Sequence, residues 1–309
     1  MLSKRKVRTT ARWLTVGLAL LASNGCNSTP ALTLRYWVDA ALGRSARTVS
    51  LDGVESFHLF LDPDSIAITP ILMKDGVWDE ASTRFFIQSI RPGDVVVDVG
   101  ANIGYFTVLF AKLVGPSGRV YAFEPDPSNF EILERNLRLN GLDNVVAEQK
   151  ALSDKNEVLT LYMNDQLRED SRIVRPKNRE VETVEVEAVV FDDYFAGREK
   201  RIDLVKVDTQ GAEGKIVSGM TETNANNDLV LALEWTPTLL EEFGTDPQDL
   251  LRMLQTAKFV PYKIAKRVRP ETYEHLAHGK VWGGSANLLL VKQGSARTPA
   301  IAPKRPAKE

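Results

Sequence analysis

Acidic residues and glycines follow the first two apolar runs of this chain's central region. Asp98 lies near the end of the run 94–99, which leads into the loop 100–104 (GANIG), and Glu124 closes the run 119–123. Glycines let a backbone approach a ligand closely and turn sharply. A carboxylate at the end of the next strand can accept hydrogen bonds from both hydroxyls of a ribose. The pattern therefore predicts a site for a nucleoside-containing cofactor.

The spacing of the glycines separates the candidate cofactors. A dinucleotide-binding loop needs Gly-x-Gly-x-x-Gly, whose middle glycine admits a pyrophosphate, whereas this loop reads Gly-x-x-x-Gly from Gly100 to Gly104. A Gly-x-x-x-x-Gly-Lys-Ser/Thr phosphate loop does not occur in the sequence either. A compact group without phosphates is favoured, and S-adenosylmethionine (SAM) fits, with its ribose on Glu124. A nicotinamide-dependent oxidoreductase remains the less favoured alternative.

Alternating strands and helices must position these residues. Strands are predicted from apolar runs and alternating patterns at 94–99, 119–123, 145–151, 158–163, 183–190, 202–208 and 229–233. Helices of sufficient length between the strands predict an α/β fold, with an open, mainly parallel sheet covered on both faces. A closing pair at 259–263 and 287–292 would add an antiparallel edge, and residues 51–90 would form a small N-terminal cap.

Five segments, in this order, resemble the FkbM family of SAM-dependent methyltransferases. They are 97–105 (VDVGANIGY), 120–125 (VYAFEP), 151–154 (ALSD), 205–213 (VKVDTQGAE) and 233–235 (LEW). Upstream, 76–79 (GVWD) resembles the family's entry segment, which often has Glu where Asp79 stands. The resemblance covers about residues 70–292. The resemblance implies a Rossmann-like class I methyltransferase fold with a seven-stranded sheet. It also implies an activity directed at hydroxyl groups of small molecules, sugars or glycans. One departure is Gln210, where many members have Glu.

The motifs and the strand ends together define a candidate site. The predicted cofactor-binding residues are Asp98, Gly100, Ala101, Asn102, Gly104, Glu124, Pro125, Ala151, Leu152, Ser153 and Asp208. The candidates for the group that takes the proton of an acceptor hydroxyl are Asp208, Glu213, Glu234 and His278, and the sequence does not choose among them. Methyl transfer needs aligned reactants and a base, so we expect no metal ion. The alternative from another class is a non-catalytic SAM-binding or scaffold protein on the same fold.

Composition and charge narrow the class of protein. Hydrophobic residues make up 43% and charged residues 26% of the 309 residues, which excludes a disordered chain and a polytopic membrane protein. The only cysteine is Cys26, so an internal disulfide and a cysteine zinc site are excluded. The net charge is −2, but the ends are basic and the middle is acidic. We therefore expect no nucleic-acid partner, because such a protein clusters positive charge on its folded domain.

The ends of the chain predict targeting and tail segments. Residues 1–26 combine a basic start with an apolar run, 13–22, that is too short to span a bilayer and suits a signal-like or membrane-anchor segment. Residues 27–50 are predicted as a linker, 91–292 as the methyltransferase domain and 293–309 as a disordered tail.

SAM is made in the cytoplasm, so we expect the domain on the cytoplasmic side, with residues 1–26 in peripheral contact with the inner membrane. An exported lipoprotein acylated at Cys26 is the alternative.

Overall fold

The computed structural model describes residues 46–62, 65, 67–163, 181–265, 268–278 and 286–297. The predicted N-terminal segment 1–26, and the linker as far as residue 45, lie outside the described residues. In the described part of the chain, no helix has the length and apolar character needed to cross a membrane.

The described elements alternate along the chain much as the sequence predicts. An N-terminal region contains β1 (Arg47–Val49), β2 (Phe57–Leu59), α1 (Ile68–Asp75) and α2 (Glu80–Ser89). Next come β3 (Val95–Val99), α3 (Tyr105–Val114), β4 (Arg119–Phe123), α4 (Pro127–Leu139), β5 (Val145–Glu148), β6 (Ala151–Ser153), β7 (Glu157–Tyr162), β8 (Thr183–Val190) and α5 (Phe191–Phe195). The last part contains β9 (Leu204–Val207), α6 (Glu213–Ser218), α7 (Thr221–Asn226), β10 (Val230–Trp235), α8 (Pro237–Glu242), α9 (Pro247–Thr256), β11 (Phe259–Lys263), β12 (Arg269–Pro270), α10 (Tyr273–Ala277) and β13 (Ala286–Lys292).

The central sheet has seven strands, the number that the family resemblance implies, and the two-residue strand β12 extends one edge. The predicted strands at 158–163 and 183–190 are not part of this sheet, whereas the predicted closing pair is. The strand order is β12-β11-β13-β10-β9-β3-β4-β5. The strands from β10 to β5 are parallel, whereas β13 runs antiparallel to both β10 and β11. The chain progresses from β3 in one direction and from β9 in the other, so the sheet has a switch point between these strands. Ligands of open α/β sheets bind at such points, beyond the carboxyl ends of the strands.

Helices cover both faces of this sheet, which confirms the predicted α/β fold. On β3, Val96 packs into one buried cluster with Phe106 and Phe110 of α3, while Val97 packs into a second cluster on the opposite face. The second cluster includes Leu250 of α9. A strand that is apolar on both sides is what a parallel sheet between two helical layers requires.

The predicted strand 145–151 is interrupted in the structure. β5 is the edge of the central sheet, and beyond it β6 belongs to a separate three-stranded sheet of order β6-β8-β7. β6 pairs in parallel with β8, where Ala151 lies opposite Ala188. Apolar residues flank the polar segment 148–150 (EQK) on both sides, so the prediction ran one strand through the point where β5 ends and β6 begins.

The N-terminal region packs directly on the sheet. Phe57 and Phe86 belong to the same buried cluster as Val96 of β3, and the Phe86 ring makes an edge contact with Phe110 at a centroid distance of 4.7 Å. The region also begins earlier than the predicted residue 51, because β1 starts at Arg47 and pairs with β2. The predicted cap is therefore one of the covering layers of the sheet.

The predicted tail, 293–309, is packed at its beginning. Arg297 is buried and donates hydrogen bonds to both carboxylate oxygens of Asp94, at 2.7 and 3.0 Å, and to Asp203 at 2.8 Å. Charge-assisted pairing of this kind holds the chain against the sheet as far as residue 297. Residues 298–309 lie outside the described residues.

Candidate functional site

A crevice, named here the cofactor crevice, lies beyond the carboxyl ends of β3, β4 and β9. Its lining includes seven residues that the sequence predicts for the cofactor: Gly100, Asn102, Glu124, Pro125, Ala151, Leu152 and Asp208. The sequence-distant Leu161 and Ile216 add an apolar wall. Four other predicted residues, Asp98, Ala101, Gly104 and Ser153, are absent from this lining.

Glu124 joins the loop after β3 to the end of β4. Its side chain is nearly buried, with 5% of the residue exposed. One carboxylate oxygen accepts a hydrogen bond from the backbone N–H of Asn102 at 2.7 Å, and the other accepts from Asp126 N–H at 2.9 Å. Burial, with a contribution from the Asp126 charge, raises the pKa of Glu124 to about 7. The side chain of Asn129 also hydrogen-bonds to Glu124, and a carboxylate has about four acceptor positions, so one position is left for a ribose hydroxyl.

Asp98 lies beneath the loop and binds protein groups. The residue is fully buried, and its carboxylate accepts hydrogen bonds from Thr107 Oγ1 at 2.7 Å and from Lys206 Nζ at 3.1 Å. Asp98, which the sequence predicts as a cofactor-binding residue, is engaged by these two protein groups and does not line the cofactor crevice. Asp98 therefore acts on the site through the lysine that it positions.

Lys206 is a site residue that the sequence analysis missed. It lies within β9, and its ammonium also donates to the carbonyl oxygen of Gly100 at 3.3 Å. Burial lowers the pKa of Lys206, but the carboxylates of Asp98 and Asp208 outweigh this effect and raise the pKa above its ordinary value. The signal in the sequence was a lysine inside an otherwise apolar strand, which requires a buried partner.

The two glycines of the loop are explained by contacts within the protein. Gly100 has a φ of 77°, and a Cβ there would lie 2.0 Å from the carbonyl oxygen of Asp208. Gly104 has a φ of 89°, and a Cβ there would lie 2.5 Å from Leu133 Cδ1. The sequence analysis gives these glycines two roles, a close approach to a ligand and a sharp turn. Their positive φ values confirm the turn, and the contacts with Asp208 and Leu133 add the packing of the loop on β9 and α4.

A second crevice adjoins the first and shares Asp208 with it. It is lined by Asp79, Ser82, Phe86, Phe106, Lys206, Val207, Asp208, Ala232, Leu233, Glu234, Ile264 and Asn287. The Asp208 side chain is 39% exposed, and its carboxylate lies 3.8 Å from Lys206 Nζ. Gln210 donates a hydrogen bond of 3.1 Å to Glu234. Burial, and then the charge of Asp208, raise the pKa of Glu234 to about 9, so Glu234 is protonated at neutral pH.

The structure brings Asp208 and Glu234 together and places the other two proton-acceptor candidates elsewhere. Glu213 is 2% exposed and accepts hydrogen bonds from Thr209 N–H at 2.8 Å and from Gly211 N–H at 2.9 Å. It therefore holds the loop after β9 in place, and it lines neither crevice. His278 follows α10, where its Nδ1 lies 2.6 Å from the carbonyl oxygen of Glu274, and it lines neither crevice.

The cofactor crevice fits SAM better than a dinucleotide. The N–H groups of Gly100 and Ala101 both donate to the carbonyl oxygen of Phe123 at 3.0 Å, and that of Asn102 donates to Glu124. These amides are therefore not available to bind a pyrophosphate. The remaining features suit SAM, because Glu124 can bind the ribose, the apolar wall can cover the adenine, and Asp208 favours a positive sulfonium.

Comparison of the sequence with known proteins finds a matching family model and several methyltransferase relatives. The family model described as the methyltransferase FkbM domain matches residues 98–261. Methyltransferase sdnD of Sordaria araneosa is 31% identical over 52% of this chain and 76% of its own length. The 31-O-demethyl-FK506 methyltransferase FkbM of Streptomyces tacrolimicus is 30% identical over 44% of this chain and 62% of its own length. The hexuronic acid methyltransferase AglP of Haloferax volcanii is 27% identical over 62% of this chain and 73% of its own length.

The matches extend over part of each relative. Across the first four curated relatives, the aligned segment covers between 58% and 76% of the relative's length. Among solved structures, methyltransferase FkbM from Methylobacillus flagellatus KT aligns with a TM-score of 0.40 and 14% identity, over 72% of this chain and 58% of that chain.

Proposed function

This chain belongs to the FkbM methyltransferase family of SAM-dependent enzymes, and we propose that it methylates a hydroxyl group of a small molecule or a sugar. The observation that carries the proposal is the position of Asp208, which lines both the cofactor crevice and the second crevice. A carboxylate at that boundary can contact an acceptor hydroxyl at the place where it meets the cofactor. The names of two relatives, which specify an O-demethyl acceptor and a hexuronic acid, support a hydroxylated acceptor.

The protein's first contribution is alignment. Glu124 and the loop after β3 would hold SAM, which would supply a methyl group on a sulfonium for in-line transfer to the acceptor oxygen and would leave as a neutral thioether. The acceptor would meet it beside Asp208, where the two crevices adjoin. Fixing both reactants in line and excluding water accounts for much of the acceleration in reactions of this kind.

The second contribution is removal of the hydroxyl proton. We assign this step to Asp208, because it is the exposed member of the carboxylate pair and reaches both crevices. Lys206, 3.8 Å away, keeps a positive charge beside the Asp208 carboxylate, and the protonated Glu234 completes the pair. A base in this position contributes about 10²–10⁴-fold to the rate.

Transfer of a labelled methyl group tests the proposal. The full-length protein is incubated with methyl-labelled SAM and a fractionated cell lysate, and the labelled product is identified by mass. We expect label on the oxygen of a hydroxyl compound and a loss of about 10²-fold or more in Asp208→Asn. Normal SAM binding without any transfer would instead support the non-catalytic alternative.

A further inference from the structure

Two asparagines, one within α4 and one at its end, bind the backbone of β2 and of the residue that follows it. Asn140 exchanges two hydrogen bonds with His58: its Nδ2 donates to the His58 carbonyl oxygen at 2.6 Å, and its Oδ1 accepts from His58 N–H at 2.8 Å. Asn136, one helical turn earlier, makes the same two bonds with Phe60, at 3.0 and 2.6 Å. The two side chains therefore act as a strand partner for the N-terminal region, because an amide side chain offers donors and an acceptor as a peptide group does.

Asn136 makes one contact that Asn140 does not make. Its Nδ2 also donates at 2.7 Å to the carbonyl oxygen of Ile103, which lies in the loop after β3. Asn136 is fully buried, and both of its N–H donors and its oxygen are engaged. A flipped amide would set the Asn136 oxygen against the carbonyl oxygens of Phe60 and Ile103. The backbone of Phe60 therefore fixes the orientation in which Asn136 meets the loop.

The buried peptide group after Ile103 needs a partner of this kind. Ile103 precedes the first residue of α3, Tyr105, and among the described residues Asn136 is the hydrogen-bond partner of its carbonyl oxygen. The N–H of Ile103 is held separately, by Asn102 Oδ1 at 2.7 Å. A buried carbonyl that loses its partner costs free energy comparable with a lost hydrogen bond. Asn136 therefore fixes the plane of the peptide between Ile103 and Gly104.

The residue before this peptide lines the cofactor crevice. Asn102 contributes to the lining, and its N–H donates to the Glu124 carboxylate at 2.7 Å. The φ of Asn102 is 51°, a left-handed conformation that is uncommon outside glycine. Such a conformation persists where the surrounding contacts hold it. Release of Ile103 from Asn136 would let Asn102 relax and turn its N–H away from Glu124, the predicted ribose ligand.

We infer that Asn136 is a positioning residue for SAM. It fixes the Ile103 peptide, this peptide holds Asn102, and Asn102 orients the Glu124 carboxylate for the ribose. The N-terminal region takes part, because Phe60 sets the orientation of the Asn136 amide, although Phe60 lies outside the lining of the cofactor crevice. The inference rests on the assignment of SAM to this crevice and is independent of the identity of the acceptor.

A matched pair of variants tests the inference on the full-length protein. Asn136→Ala removes the contacts with both Phe60 and Ile103, whereas Asn140→Ala removes the equivalent contacts with His58 and leaves the loop untouched. Calorimetric titration should show SAM binding that is about tenfold weaker in Asn136→Ala, because the loop would spend a smaller fraction of its time in the binding-competent conformation. Asn140→Ala should bind SAM as the wild type does.

Thermal melts measure the loss of stability in both variants, and the titrations are made well below the melting temperatures. A purely structural role for the two asparagines would lower the melting temperatures and leave the SAM affinities unchanged. Equal SAM affinity in Asn136→Ala and the wild type, or equal weakening in the two variants, would overturn the inference.

Hydrogen exchange in the wild-type protein is a second test, which needs no variant to fold. The N–H of Phe60 is held by Asn136, and that of His58 is held by Asn140. Coupling between two sites is reciprocal, so saturating SAM should slow the exchange of the Phe60 N–H by about tenfold and that of the His58 N–H by less. A Phe60 N–H that SAM leaves unchanged, or slows no more than that of His58, would overturn the inference.

The outcome for SAM itself is read from the same titrations. Failure of the wild type to bind SAM would overturn the inference together with the assignment of SAM to the cofactor crevice. Neither measurement involves an acceptor, so the inference about Asn136 and the proposed methylation of a hydroxyl group can fail separately.

Discussion

Asp98 on β3 and Lys206 on β9 form an ion pair of 3.1 Å that is buried beneath the loop after β3. The two strands are neighbours in the sheet, with Asp98 directly opposite Lys206 in the parallel register. The pair therefore spans the switch point of the sheet, and the lysine reaches from it to the carbonyl oxygen of Gly100 and towards Asp208. One buried contact thus positions both the loop and the proposed base.

Removing one member of this pair should cost more stability than removing both. We expect Asp98→Asn to lower the free energy of unfolding by about 3–5 kcal/mol, because it leaves the Lys206 ammonium buried without its main counter-charge. Urea denaturation measures the loss. The double variant Asp98→Asn, Lys206→Met should recover part of the lost free energy of unfolding. If the losses of the two single variants instead add up in the double variant, the pairing is contradicted.

Loss of the Glu124 carboxylate should weaken the binding of SAM. We expect Glu124→Ala to reduce the binding free energy by about 1.5–3 kcal/mol, the range for hydrogen bonds to a charged group. Calorimetric titration with SAM gives the value, and the exposed Glu131→Ala on α4 is the control. Equal affinities in Glu124→Ala and the wild type would refute the ribose assignment.

Glu234 should make the protein less stable as the pH rises. Its pKa is raised to about 9 from an ordinary 4.5, chiefly by burial, so the folded chain keeps a proton that the unfolded chain has lost between these values. The contribution to stability is complete below the unfolded pKa and disappears as the pH rises through the folded pKa. We expect Glu234→Gln to be more stable than the wild type by about 1 kcal/mol or more at about pH 8, and to show little gain near pH 4.5. If the free energy of unfolding changes with pH in the same way in both proteins, the pKa of Glu234 is not shifted.

The contacts of Arg297 with Asp94 and Asp203 should limit how far the chain can be shortened without loss of stability. We expect Arg297→Met to lower the free energy of unfolding by about 3–5 kcal/mol, because it leaves Asp94 buried without its cation, while Asp203 keeps its contact with Arg201. Ending the chain at residue 292 should have a comparable effect, whereas ending it at residue 297 keeps the contacts and should change little. Thermal melts of these proteins test the prediction, which fails if the two truncations are equally stable.

We also propose that the domain works on the cytoplasmic side of the membrane, where SAM is available, with residues 1–26 as the membrane contact. Basic residues near anionic lipid contribute about 1 kcal/mol each, and residues 1–26 include Lys4, Arg5, Lys6, Arg8 and Arg12. A chain without residues 1–26 should leave the membrane fraction and still bind SAM. Protease added to intact spheroplasts checks the side, since digestion of the domain would place it outside.

The sequence by itself determined the elements and the residues that lie at their ends. The apolar run of β3, the loop with its two glycines and Glu124 at the end of β4 are properties of short windows, in which side-chain period and turn residues dominate. The placement of Glu124 and Asn102 on one crevice also followed, because parallel strands end at the same edge of a sheet.

The tertiary structure decided which of these residues meet, because contacts between distant segments leave no local pattern. Lys206 and Asp98 are 108 positions apart, and Asn287 and Asp79 are 208 apart. Neither pair could be inferred from either segment alone. Glu213 looked like a candidate base at the start of a helix, yet the turn of the chain at 209–211 encloses its carboxylate and uses its acceptors. A carboxylate at the end of a strand becomes a binding group, a base or a structural support according to the backbone and the charges that folding places around it.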